Sequence, residues 1–234
     1  MKKPVKLAWI NQLLAPIWFL FVIVLFSVYF GAKGVAETEI PLKLSQNIPT
    51  LILIVQLIIL ATLYFTAKKE NFHLLKEGWK TENKRLLVTD TVYGIATGLV
   101  LALAYIYALS PLQNYLQTQV GDYVPAGETL KSLGSQNMRF FVANVVLAPF
   151  VEESLYRNYG LTRFVNAYGV KRSVILSSVL FGLLHWTGGV WYILLTCIFI
   201  GVPFALIAIK RQNILWVFAA HLTLNLAEYL YISQ

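Results

Sequence analysis

Two adjacent carboxylates and a guanidinium stand inside a stretch that is otherwise typical of a membrane span. Glu152, Glu153 and Arg157 interrupt a mostly apolar run over residues 138–164. Charged side chains are costly in hydrocarbon, and they usually face a bundle interior or a water-filled cavity. Glu153 and Arg157 are four residues apart, so they share a helix face and can pair. The stretch therefore predicts a polar site inside the membrane.

Two further predicted spans carry ionisable residues at a similar depth. With a helical rise of 1.5 Å per residue, Glu152, His185 and His221 lie about 18, 20 and 14 Å from one predicted edge of the membrane. Phe181 precedes His185 by four residues, and Asn225 follows His221 by four. Each helix can thus present two groups to one cavity. The matched depth predicts that the three spans build a single site.

A carboxylate beside two imidazoles and an amide can bind and deprotonate a water molecule. Glu152 is the natural general base in this set. His185, His221 and Asn225 could hold a metal ion, or could donate to an oxyanion as a peptide carbonyl is attacked. One glutamate with two histidines is also a catalytic zinc set, so Glu152, His185 and His221 are candidate zinc ligands. The chain has no HExxH helix, which argues against the common zinc-protease pattern.

Packing would explain several of these residues taken singly. Phe181 alone fits a helix interface, and Asn225 alone fits polar bonding between helices. Glu153 and Arg157 fit a structural pair that orients the site. The order of the residues and their common depth favour a functional role for Glu152 and the two histidines.

The composition is that of an integral membrane protein. The chain has 234 residues, of which 58% are hydrophobic and only 13% are charged. A soluble domain of this size could not bury so many apolar side chains away from water. The net charge of +8 fits lysine-rich loops and anionic lipid rather than nucleic acid. The single cysteine, Cys197, excludes a disulfide within the chain and fits a small buried apolar residue.

We expect an all-α transmembrane bundle of about seven to eight spans, forming a single membrane domain over residues 1–234. A span needs about 20 mostly apolar residues. The first apolar run is longer than the core of a signal peptide and is interpreted as an uncleaved span. The predicted spans are 8–31, 50–67, 87–109, 138–164, 172–187, 190–209 and 212–231.

Basic residues set the predicted orientation. Fourteen lysines and arginines fall in loops and span ends on one side, and four fall on the other. Because cytoplasmic loops carry the excess of basic residues, the N-terminus is predicted inside and the C-terminus outside.

Four local features complete the predictions. The segment 68–85 is either an amphipathic helix on the inner leaflet or a solvated loop. The long segment 110–137, with Gly121, Pro125, Gly127 and Gly134, is predicted to be an outer loop. Gly94 and Gly98 would allow a close helix approach, and Pro149 could kink its span. Thr187, Gly188 and Gly189 form the predicted turn between the fifth and sixth spans.

Three ordered motifs resemble those of the CAAX prenyl protease and bacteriocin-processing family of intramembrane endopeptidases, also called the CPBP or Abi family. The EExxxR motif corresponds to residues 152–157, the FxxxH motif to residues 181–185 and the HxxxN motif to residues 221–225. The resemblance covers roughly residues 138–230, which would be the catalytic core. Each motif alone is weakly specific, whereas the ordered set is strongly so.

The resemblance implies a polytopic fold, often of eight spans, with a cavity open to the membrane or the cytoplasm. Glu152 would activate water, His185, His221 and Asn225 would complete the site, and Arg157 would pair with Glu153. The reaction would use zinc or proceed without a metal. Substrates would be membrane-associated peptides or proteins, with bacteriocin processing or self-immunity as bacterial roles, in the bacterial cytoplasmic membrane.

Two other functions use the same residues. A non-catalytic immunity protein would keep the fold and would tolerate loss of the Glu152 carboxylate. A proton-coupled transporter would use the glutamate and histidines as a relay. Transporters often show paired repeats with broken helices in both halves, and the sequence has no such repeat.

Overall fold

The computed structural model describes residues 3–80, 83–124 and 136–232, and all regular structure in these residues is helical. The predicted all-α class is therefore confirmed. Seven long helices dominate the described residues. They are α1 (Lys3–Ala32), α2 (Ile48–Lys69), α3 (Lys84–Gln119), α4 (137–168), α5 (Val170–Leu184), α6 (Val190–Arg211) and α7 (Leu215–Ile232). Two shorter helices, Ile40–Gln46 and Leu74–Glu77, precede α2 and α3.

The long helices lie where the seven spans are predicted, but they do not all qualify as spans. Helices α1, α2, α3 and α6 are long and apolar enough to cross a membrane, which makes the chain an integral membrane protein. Helix α5 has 15 residues and is about 22 Å long, shorter than the hydrocarbon core of about 30 Å. The span count and the orientation of the termini stay predictions.

Helix α4 is the centre of the bundle. It contacts α1, α2, α5, α6 and α7. Every residue from Val151 to Leu161 is buried. By contrast, Leu20, Leu25 and Val28 on α1 each expose more than half of their surface, as suits contact with lipid. The motif 152–157 is thus surrounded by protein and shielded from lipid.

Two wide π-helical segments interrupt the α-helical winding of α4. They span Phe141–Leu147 and Glu153–Leu161. Pro149 lies just after the first segment, within the α-helical turn Ala148–Glu152. Proline has no backbone N–H and cannot donate a hydrogen bond within the helix. At Pro149 the missing bond falls where the helix changes from π-helical to α-helical winding. The second π segment carries most of the motif and turns Glu153 and Arg157 relative to an ideal α-helix.

Helices α3 and α7 pack along one another through small residues. A Cβ atom on Gly94 would lie 2.6 Å from the Ala219 Cβ. A Cβ atom on Gly98 would collide with the Ala220 carbonyl oxygen. The predicted close approach at these two glycines is confirmed, and it fixes the face of α7 that turns toward α4.

Two sequence predictions are wrong in detail. The predicted outer loop begins too early, because Ser110–Gln119 continues α3 as helix after a π-helical turn at Tyr105–Leu109. Pro111 falls in the first turn after that change of winding, where a missing N–H is tolerated. The fifth span also ends early, since α5 stops at Leu184 and His185 follows it. The later part of the predicted loop, 125–135, lies outside the described residues.

The segment after α2 packs onto the bundle. Trp79 stacks on Phe150 with ring centroids 5.7 Å apart and meets Phe218 edge-on. Glu70 accepts hydrogen bonds from Tyr159 and Arg163. This segment is neither a continuous amphipathic helix nor a solvated loop, because its described residues between α2 and α3 form one short helix, Leu74–Glu77, and Trp79 is packed on the bundle. The turn at Thr187, Gly188 and Gly189 is confirmed, with a positive φ of 97° at Gly189.

The glycine contact predicts a measurable loss of stability. Gly98→Ala should lower the free energy of unfolding by about 1–3 kcal/mol, because the added methyl group must push α7 away. Thermal unfolding in detergent measures the change. Gly31→Ala is the matched control, since a Cβ atom there meets nothing within 4 Å and alanine favours the helix. Equal stability of the two variants would contradict the close contact.

Candidate active site

Glu152 places one carboxylate oxygen in a hydrogen bond and turns the other toward two histidines. Its Oε1 accepts a hydrogen bond of 2.8 Å from the Nε2 of Gln56 on α2. Its Oε2 is buried and has no hydrogen-bond partner among the described residues. This oxygen lies 3.9 Å from the Nε2 of His185 and 4.0 Å from the Nε2 of His221. The three predicted residues therefore converge at one point.

Each histidine is oriented through its other ring nitrogen. The Nδ1 of His185 lies 2.9 Å from the carbonyl oxygen of Phe181, and the Nδ1 of His221 lies 2.8 Å from Oε1 of Glu153. A carbonyl oxygen and a carboxylate oxygen only accept hydrogen bonds, so both Nδ1 atoms must carry the proton. In the neutral rings, Nε2 then presents a lone pair toward Glu152.

Two Nε2 acceptors consequently face the Oε2 acceptor of Glu152 at 3.9 and 4.0 Å, which is too long for a direct hydrogen bond. Such a set is satisfied by a shared donor, such as a water, or by a cation. The atoms are of the types that zinc takes, and both histidines are anchored as metal ligands usually are. However, no group of three His, Cys, Asp or Glu side chains in the described ranges is spaced to hold a metal ion.

Glu153 lies between a guanidinium and an imidazole. Its Oε2 is 3.3 Å from the Nε of Arg157, and both side chains are completely buried. Its Oε1 accepts from the Nη1 of Arg157 at 3.4 Å as well as from His221. The predicted pairing of Glu153 and Arg157 is present. The pair holds the ring of His221 toward Glu152, because His221 has no other partner for Nδ1 in the described residues.

The ring of Phe181 packs against the guanidinium of Arg157 and against the imidazoles of both histidines. The guanidinium carbon of Arg157 lies 3.8 Å from the centre of its ring, a distance typical of a cation–π contact. The ring centroids of His185 and His221 lie 4.9 and 6.1 Å from that of Phe181. The FxxxH motif thus supplies a ring that contacts Arg157 and both histidines, as well as the carbonyl that orients His185.

Asn225 lies one helical turn beyond His221 and lines the same cavity. Its Nδ2 donates a hydrogen bond of 2.8 Å to the carbonyl of Asn144 on α4. The cavity has a volume of about 450 Å³ and is also lined by Glu152, His185 and His221. All seven predicted site residues are therefore brought to this cavity or to the charge pair directly behind it.

Sequence reasoning missed several polar residues that line the cavity. Among them are Gln56, Tyr105, Tyr192 and Glu228. Gln56 is the clearest omission, because it is buried and interrupts the otherwise apolar run 51–61 of α2. Glu228 lies seven residues after His221 and thus on the same helix face, one turn beyond the HxxxN motif.

The segment just after α3 forms hydrogen bonds with the turn that follows His185. The Asp122 carboxylate accepts from the backbone N–H groups of Val190 and Trp191, at 3.0 and 3.3 Å. The Tyr123 hydroxyl donates to the carbonyl of Trp186. Burial alone raises the pKa of the Asp122 carboxyl, but bonds from four backbone N–H groups lower that pKa from its usual value. The start of α6 is thereby tied to a segment outside the matched motifs.

Residues 134–227 match the family model described as Rce1-like, type II CAAX prenyl endopeptidase. The matched segment contains all three motifs, so the family resemblance predicted from the sequence is confirmed for this part of the chain. At the level of the family, the match supports an intramembrane protease. Comparisons with curated proteins and with solved structures give no match.

The buried charge pair predicts a large effect on stability. Arg157→Met should cost about 3–5 kcal/mol, because it leaves the carboxylate of Glu153 buried without its cation. Unfolding of the variant in mixed detergent micelles measures the loss. Arg139→Met is the control, since Arg139 is exposed and donates a hydrogen bond to Thr50. Adding Glu153→Gln to Arg157→Met should recover part of the stability, and no recovery would contradict the pairing.

Proposed function

Because residues 134–227 match an Rce1-like CAAX protease domain, we propose that this chain is an intramembrane endopeptidase in which Glu152 activates a water. The observation that carries the proposal is the convergence of Oε2 of Glu152 with the Nε2 atoms of His185 and His221. A water can donate to two of these acceptors at once. Its oxygen is then held near Oε2 of Glu152.

In the proposed reaction, Glu152 takes a proton from the water as the water oxygen adds to a peptide carbonyl carbon. The carbonyl oxygen becomes an oxyanion, to which the second N–H of the Asn225 amide can donate. The C–N bond then breaks, and the proton held by Glu152 passes to the leaving amine. The products are a new carboxyl end and a new amine end, so atoms and charge balance.

The two adjacent glutamates have different roles in this proposal. Glu152 lines the cavity and has one oxygen with no hydrogen-bond partner among the described residues, which is what a base requires. Glu153 is bound by Arg157 and His221, so it positions the imidazole and stabilises positive charge on it. The arrangement parallels the carboxylate that orients a histidine in other hydrolases.

The proposed substrates are membrane-associated proteins or peptides. The cavity lies in the helical bundle and is lined largely by apolar side chains, including Phe19, Ile23 and Leu51. An extended apolar peptide fits such a lining better than a water-soluble one. Bacteriocin processing or self-immunity is a proposed biological setting.

The first prediction of this proposal concerns the base. Glu152→Gln should lower proteolysis by about a thousandfold, because glutamine cannot accept the proton from water. Membrane-associated peptides from cells with the wild type and with the variant, at matched protein levels, provide the measurement. Fragments found only with the wild type would identify substrates.

Glu37→Gln is the matched control, because Glu37 is exposed and lies between α1 and α2. Its peptide profile should equal that of the wild type. Identical profiles for the wild type and Glu152→Gln, with the cellular phenotype kept, would contradict catalysis and favour a binding protein. Proton-coupled uptake that Glu152→Gln abolishes, without proteolysis, would favour a transporter.

The second prediction concerns metal dependence. Cleavage by the purified protein should survive dialysis against a zinc chelator, because a water between the three acceptors is sufficient for the proposed step. Activity lost on chelation and restored by added zinc would contradict this prediction. Glu152, His185 and His221 would then be the ligands, and a bound zinc ion would act as a Lewis acid on the water.

A further inference from the structure

A second carboxylate lines the cavity at a distance from the water-activating group. Glu228 lies on α7, seven residues after His221 and three after Asn225. Residues at these spacings share one face of an α-helix. All three line the same cavity of about 450 Å³. Because α7 is helical from Leu215 to Ile232, Glu228 lies about 10 Å from His221 along the helix axis.

Two tyrosines connect this carboxylate to the histidines. The Tyr105 hydroxyl, on the π-helical turn of α3, interacts with both Glu228 and the Tyr192 hydroxyl. The ring of Tyr192 lies 6.5 Å from that of Tyr105 and 5.7 Å from that of His185. The tyrosines thus form a continuous wall that begins at the histidine and ends at Glu228.

The charge of the cavity is one-sided. Among the described residues that line it, the acidic ones are Glu152 and Glu228, and none is a lysine or an arginine. Glu152 is committed to the proposed reaction, and Glu153, which is paired with Arg157, does not line the cavity. Glu228 has no such cation within the cavity lining. A carboxylate in an apolar cavity is stabilised by a positive charge that enters with the ligand.

We propose that Glu228, framed by Tyr105 and Tyr192, forms a subsite that binds a lysine or arginine side chain of the peptide substrate. The proposal rests on the proposed endopeptidase function. An extended peptide advances about 3.3 Å per residue. A separation of about 10 Å therefore places the basic residue about three residues from the bond that is cleaved. The apolar remainder of the cavity holds the flanking residues.

A set of quenched fluorescent peptides tests this subsite with the full-length protein in detergent micelles. The peptides share one apolar sequence and carry lysine, glutamine or glutamate at each position in turn. The wild type should cleave the lysine peptide with a kcat/KM about tenfold above the glutamine peptide, at one position about three residues from the cut. Glu228→Gln, which is isosteric, should bring this ratio to about one.

Reversing the charge of residue 228 provides the second measurement. Glu228→Lys should reverse the preference and favour the glutamate peptide at the same position. Glu37→Gln, which removes an exposed carboxylate outside the cavity, should leave the lysine preference unchanged. Equal kcat/KM for all peptides with the wild type, or a lysine preference that persists in Glu228→Gln, would overturn the proposed subsite.

A binding measurement separates this proposal from the proposed catalysis. Labelled lysine and glutamine peptides are titrated into Glu152→Gln protein and into the Glu152→Gln/Glu228→Gln double variant, with fluorescence anisotropy as the readout. Tighter binding of the lysine peptide only in the single variant supports the subsite even if no peptide is cleaved. Absence of that difference overturns the subsite even if the wild type cleaves the peptides.

Discussion

The buried pair of Glu153 and Arg157 is the interaction on which the site depends. Two charges in the middle of a helical bundle are costly to desolvate, and they are tolerated only when each finds several partners. Arg157 finds Glu153 and the face of Phe181, and Glu153 also accepts from His221. The charge pair thereby becomes the anchor for one of the two histidines. Residues of α4, α5 and α7 are tied to one another in the same cluster.

Two glutamates that are neighbours in the chain, Glu152 and Glu153, have different surroundings. Glu153 is enclosed by positive and hydrogen-bond-donating groups, so its charge is already compensated. Glu152 has one compensated oxygen and one oxygen that faces only acceptors. The first situation suits a positioning residue, and the second suits a group that exchanges a proton with a ligand. The same chemical group thus has two roles because the helix turns each one toward different neighbours.

Close helix packing makes this geometry possible. Gly94 and Gly98 allow α7 to lie directly against α3, which leaves the His221 face of α7 to point toward α4. The π-helical segment Glu153–Leu161 changes the angle between successive side chains where the motif requires it. The contacts of Asp122 with the start of α6 fasten the turn after His185 from outside the matched segment. The first half of the chain therefore contributes to the site although it carries none of the motifs.

The sequence by itself determined the fold class, the approximate position of seven helices and the residues of the three motifs. It could do so because apolar runs and i, i+4 spacings are local properties of the chain. Only the tertiary structure decided that Gln56 bonds to Glu152, that α3 continues through Ser110–Gln119, and that Glu228 lines the cavity. Adjacent residues of a helix point about 100° apart, so the packing of α2, α3 and α7 around α4 decides which side chains face the cavity. That packing depends on contacts between residues far apart in the chain, which no local pattern records.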